Sequence, residues 1–340
     1  METGTKRTQA LAVGVNPRAL PAGAVATDKT PLIFAGASGA PLAAAVAACL
    51  GVAAGRVLIE RFAGGELHVE LEEDVAGRDV FLVQPANEPI ERNLFELLLL
   101  ADACSRAGCA RITAVVPYLG YSRQDRRSAK LIPVGGRVVA NVLATAPISR
   151  LVVVDLHAPT MEGFFPMPVD NLTSFPALIN ALRGGVTSDS VVVAPDVGAT
   201  RLAARIAEEL RLPMAVVEKS RLSGSAVVAT GISGDVRDRR PIVVDDMITT
   251  GGTVEAALRQ AIHAGCRPEA IVAVAHAVFE PEAPGRLAAL PIRRLLITDT
   301  VPGLASPSLK AEVVSVAPLL AEAIRRIHEA RSLNDLLSRS

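Results

Sequence analysis

Pro241-Ile242-Val243-Val244-Asp245-Asp246-Met247-Ile248-Thr249-Thr250-Gly251-Gly252-Thr253 passes from an apolar run through two acids into a threonine–glycine turn, and Val254-Glu255-Ala256-Ala257-Leu258 continues with helical spacing. The order reads as a buried strand, a tight loop and a helix start, the unit from which parallel α/β sheets are built. Thr250, Gly251, Gly252 and Thr253 suit a turn whose N–H groups and hydroxyls converge on one anion at a helix N-terminus. Two adjacent carboxylates cannot bind that same anion. They suit sugar hydroxyls or a cation, and a phosphate on one side with a diol on the other describes a ribose phosphate.

The chain repeats itself around this unit. Ile33-Phe34-Ala35-Gly36-Ala37-Ser38-Gly39-Ala40, followed by Leu42 to Leu50, parallels Val192-Val193-Ala194-Pro195-Asp196-Val197-Gly198-Ala199, followed by Arg201 to Leu210. Each is a strand, a small-residue turn and an alanine-rich helix, and each leads to a strand ending in basic residues at Arg61 or Lys219. Gly39 and Gly198 lie 159 residues apart, and Cys109 and Cys266 lie 157 apart. A nearly constant offset across separate segments marks a duplication. Alternating strands and helices in each copy predict a mostly parallel sheet covered on both faces, with ligands at the carboxyl ends of its strands. The copies differ at the key turn: Gln84-Pro85-Ala86-Asn87-Glu88-Pro89 has neither paired acids nor glycines, so only the second copy is expected to hold the phosphosugar.

Other strand ends carry further candidates. Pro117 to Arg127 holds both tyrosines and three arginines, Arg123, Arg126 and Arg127, and reads as an exposed basic loop at the ligand side. Arginine there suits phosphate, and Gln124 beside it suits a base or another phosphate. Leu151-Val152-Val153-Val154-Asp155-Leu156-His157 reads as a buried strand presenting His157, an imidazole able to ligate a metal or move a proton. Asp196, with Gly198, Thr200 and Arg201 close behind, forms a second small anion loop with a carboxylate available to Mg²⁺. Lys219 and Arg221 follow the strand Met214 to Val217 and open a flexible segment, Leu222 to Gly234, that suits closure over a reacting phosphoryl group. Phe62-Ala63-Gly64-Gly65-Glu66 fits either a nucleobase clamp or a packed hairpin. No phosphate-binding GxxxxGK[ST] loop occurs.

Composition narrows the class. The 340 residues carry 35 basic and 35 acidic side chains, so no global field points to nucleic acid or an anionic membrane. Aromatic residues make up 3% with no tryptophan, against a base-stacking platform. No apolar span reaches membrane length, and Met1 to Thr30 lacks a signal-peptide core, so a cytoplasmic protein with a loosely ordered extension is expected. Cys49, Cys104, Cys109 and Cys266 show no metal spacing and read as buried free thiols.

Together these segments resemble the ribose-phosphate pyrophosphokinase (phosphoribosyl diphosphate synthetase) family, from about Leu32 to Ile327. The resemblance rests on Gly120-Tyr121-Ser122-Arg123-Gln124-Asp125-Arg126, Val154-Asp155-Leu156-His157-Ala158-Pro159, Val244 to Ile248 with Thr250 to Thr253, and Ser315 to Ile324. It implies two tandem phosphoribosyltransferase-like domains, here 31–168 and 169–328, between an extension over 1–30 and a tail over 329–340. It implies Mg²⁺-dependent transfer of the β,γ-diphosphoryl group of ATP to the 1-hydroxyl of ribose 5-phosphate. Asp245, Asp246, Thr249, Thr250, Gly251, Gly252 and Thr253 would hold ribose 5-phosphate. His157 and Asp196 would bind Mg²⁺. Arg123, Gln124 and His157 would face ATP, with Phe62 and Glu66 reaching the adenine from a neighbouring subunit of a homo-oligomer, a hexamer built from dimers. Lys219 and Arg221 would be mobile cations over the transition state. Gly64, Val197 and Thr249 depart from the family's usual residues. A catalytically silent subunit that regulates true synthetases is the alternative from another class. A phosphoribosyltransferase that consumes the product fits the Asp-Asp turn, but not the duplication.

Overall fold

The computed structural model describes residues 30–223, 226–303 and 309–338, so nearly all of the extension expected over 1–30 lies outside the described residues. The first half runs β1 (Leu32–Ala35), α1 (Ala40–Leu50), the hairpin β2 (Val57–Arg61) and β3 (Leu67–Leu71), β4 (Asp79–Val83), α2 (Ile90–Arg106), β5 (Arg111–Val116), α3 (Gly135–Leu143), β6 (Arg150–Val154), a 3-10 turn at Pro159–Phe164, and β7 (Val169–Leu172). Five of these strands form a parallel sheet in the order β1-β4-β5-β6-β7. The second half runs α4 (Phe175–Arg183), β8 (Ser190–Ala194), α5 (Thr200–Leu210), β9 (Met214–Ser223), β10 (Ala226–Ser233), β11 (Arg240–Ile248), α6 (Gly252–His263), β12 (Ala270–Ala277), α7 (Ala283–Ala288), β13 (Ile292–Thr298), β14 (Ala311–Val314) and α8 (Ala317–His328). Its sheet repeats the same order as β8-β11-β12-β13-β14, with β9 and β10 added beside β8.

The strands form where the sequence offers continuous apolar runs. All residues of β4 and of β12 are buried, as strands covered on both faces require. Helices supply the covers through one apolar stripe each. In α5, Ala203, Ile206 and Ala207 are buried while Arg201 and Glu208 stay exposed.

The last helix of each repeat crosses to the other lobe. Helix α4 follows β7, yet Leu178, Ile179 and Leu182 pack with Val192, Val244 and Ala273 of the second sheet. Helix α8 follows β14, yet Leu320, Ala321 and Ile324 pack with Ile33, Val46 and Phe81 of the first. The exchange redraws the division expected from sequence. Strand β7, placed at the head of the second unit, pairs with β6 in the first sheet. The segment after His328, expected to be a tail, is tied down as well. Leu333 is buried in the first-lobe core, and Thr173 N–H donates to the Leu336 carbonyl at 3.1 Å. The two helices carry interchangeable apolar stripes, so periodicity alone does not say which sheet each covers.

Three other expectations change. The segment read as flexible from Leu222 to Gly234 is largely strand: β9 runs on to Ser223 and β10 returns antiparallel to it, with Lys219 opposite Ala229 and Arg221 opposite Val227. Val227, Val228 and Thr230 give β10 the β-branched content that favours this pairing. Cys49 is exposed, whereas Cys104, Cys109 and Cys266 are buried. Tyr118, expected on an exposed loop, is 7% exposed because it packs beneath that loop against His276 of the second lobe.

Candidate active site

The acidic turn projects because its strand outruns a neighbour. Strand β11 pairs with β8 only over Arg240–Val243, but with β12 as far as Ile248. Asp245 and Asp246 therefore sit beyond the end of β8, facing a cleft of about 740 Å³ between the lobes. The turn that follows ends at Gly251, whose left-handed φ of 77° aims the first N–H groups of α6 at the cleft. No side chain caps α6 beyond a long 3.4 Å contact from Gly252 N–H to Thr250 Oγ1, so its terminus is set for an anion.

His157 arrives from the other lobe. Strand β6 ends at Val154, and Asp155 takes a left-handed φ of 43°, which turns the chain toward β11. That conformation is held from several sides. The Asp155 carboxylate accepts hydrogen bonds from Ser174 N–H at 2.9 Å and from the Ser174 hydroxyl, and Leu156 N–H donates to Asn171 Oδ1 at 3.1 Å. His157 Nδ1 then meets Asp246 Oδ2, so the two lobes touch through a pair of candidate site residues.

The charges are unevenly held. Burial, then the neighbouring Asp246 and Asp196, push the Asp245 carboxyl well above the usual carboxylate range. For Asp246 burial acts in the same direction, but the His157 hydrogen bond and the charge of His157 bring it below that range. The same bond raises His157 against the opposing effect of its burial. Asp196 Oδ1 accepts from Gly198 N–H at 3.0 Å and from Ala199 N–H at 3.3 Å, which fixes the carboxylate at the mouth of the β8–α5 turn.

Arg123, His157, Asp196, Asp245, Asp246, Thr249, Thr250, Gly251 and Thr253 all line the one cleft, with Gly252 inside the same turn. Gln124 does not line it. Phe62 and Glu66 do not either: they bracket the β2–β3 hairpin, where Phe62 stacks on His68 at 5.0 Å and remains 49% exposed. Lys219 and Arg221 occupy β9, and their side chains lie outside the described residues.

The equivalent turns of the first lobe are filled by the chain itself. Glu96, a fully buried residue of α2, accepts from Ala37 N–H at 2.9 Å, Gln84 Nε2 at 3.0 Å and Arg92 Nε at 2.9 Å. Gln84 Oε1 in turn accepts from Gly39 N–H at 3.2 Å. The amide groups after β1, the counterpart of the Asp196 turn, thus face an internal carboxylate and a carboxamide.

Sequence reasoning passed over Asp155, Asn171, Ser174 and His276, which brace the site from behind. His276 carried a usable signal, since it is the one imidazole inside the apolar run Ala270–Ala277. Asn171 and Ser174 carried none, because their roles depend on β7 lying beside β6.

Comparisons with known proteins agree with this architecture. The N-terminal domain of ribose phosphate pyrophosphokinase matches residues 31–146, and the phosphoribosyl transferase domain matches residues 176–307. The ribose-phosphate pyrophosphokinase of Prochlorococcus marinus is 38% identical, over 89% of this chain and 92% of that protein. The one from Aquifex aeolicus is 37% identical, over 90% of this chain and 98% of its own length. The crystal structure of phosphoribosylpyrophosphate synthetase from Mycobacterium smegmatis superposes with a TM-score of 0.82 at 36% identity, covering 89% of this chain and all of that one. Two matched halves, relatives aligned along nearly their whole length and one shared architecture place this chain in the ribose-phosphate pyrophosphokinase family.

Proposed function

We propose that this protein is an active ribose-phosphate diphosphokinase, transferring the β,γ-diphosphoryl group of ATP to the 1-hydroxyl of ribose 5-phosphate and releasing AMP. The observation that carries the reading is the convergence of a sugar-phosphate turn from one lobe and a His–Arg pair from the other on a single cleft. In this reading the Thr249–Thr253 turn takes the 5-phosphate, and Asp245 and Asp246 take the ribose hydroxyls. Arg123 and His157, across the cleft, take the phosphates of ATP. The 1-hydroxyl is then held in line with the β-phosphorus, and transfer of this kind depends on alignment and charge neutralisation more than on a covalent nucleophile.

The acids at the strand ends fit a hard divalent cation. Asp245 is crowded by Asp246 and Asp196, and such crowding is relieved by a cation. Among the described residues no three His, Cys, Asp or Glu side chains form a self-sufficient metal cluster. Mg²⁺ takes one or two protein ligands and completes its shell with phosphate oxygens and water. Asp196 and His157 are the assigned ligands. Bound Mg²⁺ would neutralise charge on the phosphates. Lys219 and Arg221 on β9 are assigned to the charge that develops on the transferred group.

Phe62 and Glu66 stand away from their own cleft on an exposed hairpin, which supports a homo-oligomer in which they reach a neighbour's adenine. A hexamer built from dimers is the assigned form. No helix among the described residues is long and apolar enough to cross a membrane, and we assign the protein to the cytoplasm. The direct experiment supplies ribose 5-phosphate and MgATP and follows AMP and phosphoribosyl diphosphate by chromatography. Folded protein that releases no AMP above background would end this reading.

A further inference from the structure

His276 lies at the carboxyl end of β12, an interior strand of the second-lobe sheet, and is 2% exposed. A polar ring so placed destabilises a core unless its nitrogens are bonded, and both are. Nε2 lies 3.2 Å from the carbonyl oxygen of Asp155, 121 residues away in the other lobe. Nδ1 lies 2.9 Å from Thr300 Oγ1. A carbonyl only accepts, so Nε2 carries a hydrogen. In the neutral ring Nδ1 then accepts, with the Thr300 hydroxyl beside it as donor. The Asp155 carbonyl therefore assigns the Nε2–H tautomer to the neutral ring.

The ring meets three parts of the cleft at once. Asp155 is two residues before His157 and occupies the left-handed turn that ends β6. Tyr118, at the root of the Arg123 loop, sets its ring edge-on to His276 with centroids 5.2 Å apart. On the third side His276 pairs in register with Met247, the residue after Asp246.

We infer that His276 is a positioning residue: its Nε2–H, donated across the lobes to the Asp155 carbonyl, fixes the end of β6 and so places His157 and the Arg123 loop against Asp246. This deepens the proposed function and rests on it. The ring touches neither substrate in that reading. Without it the first-lobe half of the site loses its register to the second, while the ribose-phosphate turn, built within one lobe, stays intact.

The experiment compares His276→Leu, His276→Gln and Thr300→Val with the unaltered protein. It measures thermal midpoint, ribose 5-phosphate affinity by calorimetry, and kcat and KM for ATP. His276→Leu should lower kcat/KM for ATP by about a hundredfold, the scale expected for misplacing reacting groups by an ångström. Its affinity for ribose 5-phosphate should stay within about threefold. His276→Gln, whose amide can donate toward Asp155, should recover about tenfold of the loss, the worth of one hydrogen bond. A folded His276→Leu with full activity overturns the inference. So does a glutamine variant no better than leucine, or a loss shared equally by ribose 5-phosphate binding. If the leucine variant does not fold, the glutamine and Thr300→Val variants decide: Thr300→Val should show a smaller loss in kcat/KM for ATP alone, and full activity in both variants overturns the inference. Should the unaltered protein release no AMP, the proposed function fails separately. The imidazole ¹⁵N spectrum still tests the geometry, with Nε2–H expected and Nδ1–H contradicting it.

Discussion

His157 on the end of β6 and Asp246 on the end of β11 are 89 residues apart and hydrogen-bonded through Nδ1 and Oδ2. In the proposed function the contact makes the two lobes one site, since neither strand end by itself would face both a sugar phosphate and a nucleotide. It also divides the acidic pair. Asp246 is compensated by an imidazole, whereas Asp245 is left with burial and two like charges.

That division predicts opposite effects on stability and function at Asp245. A carboxyl whose folded pKa lies above its unfolded value destabilises the fold as pH rises from the ordinary carboxylate range through the raised value, and the full penalty persists above it. Asp245→Asn removes the penalty. Without ligands, urea melts at neutral pH should show the variant more stable than the parent, with the difference fading as pH falls below about 4. Ribose 5-phosphate affinity should meanwhile fall by about tenfold or more, as for loss of a charged hydrogen-bonding partner. A variant less stable than its parent at neutral pH would show that the carboxylate is compensated after all.

Lys219→Ala tests the assignment of β9. A cation that acts on charge developing in the transition state contributes to kcat rather than to ground-state binding. Turnover should fall by about a hundredfold to a thousandfold, with calorimetric affinity for ribose 5-phosphate nearly unchanged. Unaltered turnover would remove Lys219 from the mechanism.

The sequence revealed the elements of the fold better than their partners. The apolar runs at Val152–Val154 and Ile242–Val244 announced buried strands, and the offset between Gly39 and Gly198 announced two copies. The exchange of α4 and α8 was hidden, because an amphipathic stripe such as Leu320, Ala321 and Ile324 fits either sheet equally well. The same limit applied to the site. Residues 245–253 form one contiguous strand and turn, so their chemistry can be read locally. Asn171 and Ser174 act only because β7 lies beside β6, a relation fixed by pairing across the sheet. Helical spacing marks Glu96 as part of α2 but gives no sign that it reaches Ala37, 59 residues earlier.

Gly251 offers a backbone test of the phosphate turn. Its φ of 77° is one that an L side chain adopts at a cost of roughly 1–2 kcal/mol. A β-carbon there would also lie 3.4 Å from Leu287, so space permits alanine but conformation disfavours it. Gly251→Ala should weaken ribose 5-phosphate binding by about tenfold, because relaxing φ turns the α6 amides away from the anion. Nucleotide binding to the first lobe should hold. Equal losses for both ligands in calorimetry would indicate that the variant disturbs the fold rather than the turn.

Glu96 carries a test of what holds the first-lobe β1–α1 turn. Its carboxylate is fully buried and holds Ala37 N–H, Gln84 and Arg92 together behind the β1–α1 turn. Glu96→Ala would leave the buried Gln84 carboxamide without this acceptor while Ala37 and Arg92 can turn to solvent, a loss of about 1–3 kcal/mol. Glu96→Gln keeps the shape and one carbonyl acceptor, and should lose less, about 0.5–1.5 kcal/mol. Urea denaturation of the two variants measures both values. If alanine were tolerated within about 0.5 kcal/mol, the range of an indifferent surface change, the carboxylate would not be what holds the first-lobe turn closed.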